Sequence, residues 1–163
     1  MSPEPSDSEE ERRRAIFVVH GRNERLRRSL FEFLRSVGLR PIEWTRAVAM
    51  TREGSPYVGD VLTRALQAAQ AIVVLLTPDD VARLSDDLVD DRTTPEDTEL
   101  SGQPRPNVLF EAGMAYGWDS SRTILVQIGR LRPISDILGR HVLYLSDSPE
   151  RRQDLLIRLR TAG

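Results

Sequence analysis

The sequence predicts a doubly wound α/β fold on a five-stranded parallel sheet, flavodoxin-like in its winding. Short, fully apolar runs bounded by turn residues recur along the chain, as strands buried on both faces require. Segments with apolar residues at helical spacing lie between them. The two patterns alternate five times, the signature of strands joined by crossover helices.

Each element follows in order. Residues Met1 to Arg13 are Pro, Ser, Asp, Glu and Arg with no apolar residue after Met1, which predicts a disordered tail ahead of one domain over 14–163. Ala15 to Val19 is the first strand and ends at His20-Gly21-Arg22-Asn23. A helix follows with Leu26, Leu30, Phe33 and Leu34 on one stripe, stopped by Gly38. Leu39 to Trp44 reads as the second strand, Thr45 to about Pro56 as a loop, and Val58 to Ala69 as a helix. Ala71 to Leu76, the most apolar run, is the third strand and ends at Thr77-Pro78-Asp79-Asp80. Val81, Leu84 and Leu88 have the spacing of a short helix, and the acidic stretch from Asp90 to Pro106 reads as a mobile loop. Beyond it come the helix that opens at Arg105-Pro106-Asn107, strands at Thr123 to Ile128 and His141 to Leu145, and a last helix from Glu150 to Arg160 with Leu155, Leu156 and Leu159 inward.

Composition narrows the function classes. The chain has 163 residues, enough for one domain that buries roughly 70% of its unfolded surface. Its net charge of -2 does not mark a nucleic-acid binder, so no direct nucleic-acid contact is expected. Every basic residue is Arg, and each brings a fork suited to phosphate or carboxylate. There is no Cys and there are only two His, so no metal site is expected. No apolar run is long enough to span a bilayer and the N-terminus lacks a signal-peptide pattern, so the expected location is the cytoplasm, away from the membrane.

A strand order of 2-1-3-4-5 places the ligand crevice outside the carboxyl ends of strands one and three, where the winding reverses. Those ends are His20 to Asn23 and Thr77 to Asp80. The helix over Arg105 to Ala115 starts on the same side, with Asn107 as the expected N-cap. Val108, Leu109, Phe110, Ala112, Met114 and Ala115 surround it with apolar surface, which predicts burial all round. Glu111 is the one carboxylate in that setting, and it is costly there unless it has partners or work. The plain reading is a Glu that caps a neighbouring loop; the functional reading is a catalytic carboxylate.

The other motifs carry the same two-sided reading. Gly21 and Asn23 suit an ordinary strand-to-helix turn, and the helix start with Arg22 beside it also suits a phosphate. Trp44 closes a core or stacks on a base. No Gly-x-Gly-x-x-Gly and no Gly-Lys-Ser occurs, so neither NAD redox nor nucleotide triphosphatase chemistry is supported. Asp79 and Asp80 suggest a phosphoacceptor, but a receiver domain also needs an acidic pair after strand one and a Lys after strand five, and this chain has neither.

Five blocks in order carry a resemblance: Phe17 to Asn23, Pro41 to Trp44, Gly54 to Gly59, Val73 to Asp80 and Arg105 to Gly113. Together they resemble the bacterial TIR-like domains, first described as predicted nucleotide-binding proteins, of CBASS and Pycsar antiphage effectors. The resemblance runs from about Ala15 to the final helix. It implies a TIR fold with NAD+ glycohydrolase activity, NAD+ being a substrate and no cofactor being needed. The family's catalytic glutamate maps onto Glu111, and Thr45 to Gly59 onto the loop that rearranges when TIR protomers assemble. Under that reading Asn107 orients the ribose or the loop, Trp44 stacks, Arg22 or Arg105 meets the pyrophosphate, and Gly21 and Asn23 shape the adjoining edge. The resemblance also implies self-assembly through TIR–TIR contacts and a cyclic-nucleotide sensor, fused or separate. Two other functions stay open: a TIR module that only assembles, and an enzyme like the nucleoside deoxyribosyltransferases, which use related N-glycosidic chemistry.

Overall fold

The computed structural model describes residues 7–134 and 139–163. Five strands form one all-parallel sheet: β1 (Ala15–Val19), β2 (Arg40–Ile42), β3 (Ala71–Leu76), β6 (Thr123–Gln127) and β7 (Leu143–Tyr144), in the order β2-β1-β3-β6-β7. In chain order of these five, that is the expected 2-1-3-4-5. Register is set by the central strand: Ile16 lies opposite Ala71, and Ile72 opposite Thr123. All six residues of β3 are buried, so the most apolar run of the sequence occupies the middle of the sheet.

Alternation along the strands divides the core into two layers. Phe17, Val19, Ile72, Val74, Leu76 and Leu125 point to one face and pack on α3 (Trp44–Thr51), α4 (Val58–Ala68) and α6 (Pro106–Asp119). Ile16, Val18, Val73, Leu75, Ile124 and Val126 point to the other face, covered by α2 (Glu24–Ser36) and α7 (Pro149–Thr161). Phe31, not the predicted Phe33, is the fully buried aromatic of α2, and Arg27 and Arg35 lie 5.1 and 5.6 Å over its ring. Gly38 ends α2 as predicted. With φ 82° it takes the left-handed position, and the Gly38 and Leu39 amides donate to the Arg35 and Leu34 carbonyls.

Four expectations are corrected. The second strand stops at Ile42, and Trp44 starts α3 where a strand end and loop were expected. Glu43 stands at that helix start because Arg27 and Arg35 of α2 hold its carboxylate at 3.3 and 2.7 Å, while Ala47 is fully buried beneath. The expected helix through Val81 is instead β4 (Asp80–Ala82), and Leu88 closes a 3-10 turn, Asp86–Leu88. The expected loop from Asp90 contains α5 (Pro95–Thr98) and β5 (Ser101–Gln103), the latter antiparallel to β4. Within the expected N-terminal tail, Asp7–Arg13 is helix α1: Glu10 pairs with Arg14, and Glu11 meets Arg40 at 2.7 Å. Residues 1–6 of that tail lie outside the described residues. Among the described residues no helix is long and apolar enough to cross a membrane.

Candidate active site

The β1 and β3 ends meet through one carboxylate. Asp79 accepts a hydrogen bond from the Arg22 amide at 2.5 Å and another from the Thr77 hydroxyl at 2.7 Å. Gly21 is required for that approach, since a Cβ there would fall 1.8 Å from Asp79 Oδ2. The nearest atom of any other residue to that Cβ would be Arg105 Cγ at 3.5 Å, so the start of α6 abuts the same turn. Arg105 also reaches Asp80 at 3.6 Å. Gly21, Arg22 and Arg105 are thus brought together at the switch point, with Asp79 and Asp80 between them.

Two of the amides at the turn expected to attract a phosphate are occupied from within. Asn23 caps α2 by accepting from the Leu26 amide at 3.1 Å, and Asp79 takes the Arg22 amide. The Arg22 side chain is exposed and has no carboxylate partner among the described residues. His20 places Nδ1 2.9 Å from the Gly21 carbonyl, which makes it the donor there, and its ring stands edge-on to Phe31. That supports a structural role for His20. Trp44 is 42% exposed at the start of α3, outside the hydrogen-bonded set at the strand ends.

Helix α6 begins one residue earlier than its expected cap. Arg105 is the N-cap and Pro106 the first helical residue, where the missing N–H costs nothing. Asn107 therefore sits inside the first turn, exposed, and makes no capping bond. The helix is not buried all round either. Val108, Ala112 and Ala115 face the sheet, while Phe110 is 69% and Trp118 47% exposed. Glu111 stands on the flank between these faces, about 9 Å along the axis from Arg105. It is partly buried, and burial alone pushes its carboxyl above the usual glutamate range. No hydrogen bond or cation among the described residues offsets that shift, so Glu111 caps no loop there.

Asp79 and Asp80 are the residues of the switch point whose part in the turn sequence reading misses. Their signal was available, an acidic pair directly after the most apolar strand, but it reads as a phosphoacceptor until Gly21 and Arg22 are placed against it.

The fold is a doubly wound parallel sheet whose switch point is bordered by the helix that carries Glu111. The family model described as "CAP12/Pycsar effector protein, TIR domain" matches residues 15–147, and the chain belongs to that family. It is a TIR domain of the antiphage effector type. A search of curated proteins found no match.

Proposed function

We propose that this domain is an NAD+ glycohydrolase that releases nicotinamide and ADP-ribose, with Glu111 as its catalytic carboxylate. The observation that carries the reading is the state of Glu111: partly desolvated, without a cation or donor among the described residues, on the helix that abuts the switch point. Such a carboxylate is held at a cost to the fold, which structural glutamates avoid by pairing.

The chemistry suits one carboxylate. The bond between ribose C1′ and the nicotinamide nitrogen breaks with its electron pair going to the ring, so a cationic pyridinium leaves as neutral nicotinamide. Positive charge develops on the ribose, and an ionised Glu111 beside the sugar hydroxyls stabilises it. Water then adds to C1′ and its proton is released, which completes ADP-ribose. No cofactor takes part. Arg22 and Arg105 supply cationic groups for the pyrophosphate, and the exposed Trp44 supplies a stacking face. Self-assembly through TIR–TIR contacts and a cyclic-nucleotide sensor, fused or separate, belong to the same reading as its means of activation.

Glu111→Gln is expected to lower NAD+ turnover at least about 100-fold while leaving the circular dichroism spectrum unchanged. Nicotinamide release, measured over a range of high protein concentrations, checks it. Equal turnover in the variant would remove Glu111 from catalysis. Base exchange on a deoxynucleoside, with NAD+ untouched, would favour the transferase reading instead.

A further inference from the structure

A concave site that does not include Glu111 lies at the β7 edge of the sheet. A cleft of about 710 Å³ opens between β7, the loop after β6 and helix α7, and Glu111 is not among its lining residues. That volume falls in the range of small-molecule sites, roughly 300–1,000 Å³. Its wall is largely apolar, with Val142, Leu143 and Ile157 contributing, and Tyr144, 58% exposed, stands on its rim.

Among the described residues the charge of the lining is one-sided: four arginines against a single carboxylate, Asp154. Two of the four are already matched, Arg132 by Asp97 and Arg151 by Asp154 at 3.6 Å. Arg140 and Arg158 are not. The Arg140 guanidinium lies 4.5 Å over the Tyr116 ring. Arg158 donates to the His141 carbonyl at 2.7 Å and to the His141 ring nitrogen. These partners orient the two guanidinium groups without neutralising them, and neither has a carboxylate among the described residues. Both arginines line this one cleft. His141 and Arg158 in turn line a smaller cleft of about 320 Å³ beside Tyr116, so the pair stands on the wall between two cavities.

Two oriented cations with no carboxylate partner among the described residues, at the wall of a largely apolar cleft, match a dianion attached to an apolar body. We infer that this cleft binds a small phosphate monoester with a planar or apolar body, its phosphate between Arg140 and Arg158 and its body against Tyr144 and Ile157. The site is independent of the glycohydrolase reading and stands whether or not NAD+ is cleaved.

Phenyl phosphate is a suitable probe because it carries both features and is no fragment of NAD+. Titrated into the whole chain and followed by backbone amide NMR, it is expected to give saturable shifts at Val142 to Tyr144 and along α7. Phenol should give none there, and inorganic phosphate should bind more weakly. Arg140 is exposed and stacks on the Tyr116 ring, so Arg140→Gln is expected to keep the circular dichroism spectrum and to weaken phenyl phosphate at least about tenfold. Glu111→Gln should leave this affinity unchanged. Shifts confined to other regions, no saturation, or full affinity in Arg140→Gln would each overturn the assignment.

Discussion

Glu111 and Asp79 are both acidic residues near the switch point, and their environments give them opposite parts. Asp79 is consumed by structure, since its two oxygens hold the Arg22 amide and the Thr77 hydroxyl. Substituting Gly21 with Ala would force that carboxylate aside, at an expected cost of about 1–2 kcal/mol for the lost bonds. Asp79→Ala should remove most of that penalty, so urea melts of the two single variants and the double variant should be clearly non-additive. Additive losses would show that Gly21 is there for some other reason. Glu111, by contrast, strains the fold. Its folded-state pKa is raised above the usual 4.5 by burial, so the ionised form is disfavoured in the native state. The penalty is fully present above the folded pKa and vanishes below 4.5, where both states are protonated. Glu111→Gln is therefore expected to raise Tm near pH 7 and 8, with the gain shrinking as the pH falls toward 4.5. An equal gain at every pH would contradict a desolvated carboxylate.

Among the elements, those with strong internal patterns were legible in sequence and those that depend on partners were not. β1, β3, β6, α2, α4 and α7 formed within a residue or two of expectation, because an apolar run or a helical stripe is a local property. Helix α3 was missed because its start depends on Glu43 being held by two arginines of α2. The β4–β5 ribbon was missed for a similar reason. It is pinned by contacts remote in sequence: the Arg132 amide donates to the Gly102 carbonyl at 2.7 Å, and Arg132 pairs with Asp97. A Cβ on Gly102 would lie 2.4 Å from Pro78 Cβ and 3.3 Å from the Arg130 carbonyl oxygen. A proline ring on one side and backbone on the other cannot yield as a flexible side chain can. Gly102→Ala should then cost about 1–3 kcal/mol, with hydrogen exchange accelerated first across residues 80–103. Protection unchanged there would mean that the ribbon is not clamped at Pro78. Helix α6 shows the limit of composition. Its apolar sequence suggested burial on every side, but Phe110 and Trp118 remain exposed in this chain.

The whole molecule is two core layers on one sheet, and α7 matters to both its edge and its stability. Leu155 is fully buried between α7 and the sheet, although the family model ends at residue 147, before that helix begins. Leu155→Ala is expected to destabilise the fold by about 2–5 kcal/mol in denaturant melts, with unfolding still a single transition. A loss well under 1 kcal/mol, or a separate early transition for α7, would make that helix an appendage instead of part of the core.

Fold class, strand order and the candidate carboxylate on α6 could all be read from residue order, because alternation, helical spacing and turn residues act over a few neighbours. Three things were settled only by tertiary packing: the helix at Trp44, the ribbon after β3, and the closing of the β1 turn by Asp79. The last pairing joins residues 57 apart in the chain. Hydrogen bonds and ion pairs of that kind depend on which surfaces the fold brings together, and nothing in the local sequence of either partner encodes the other.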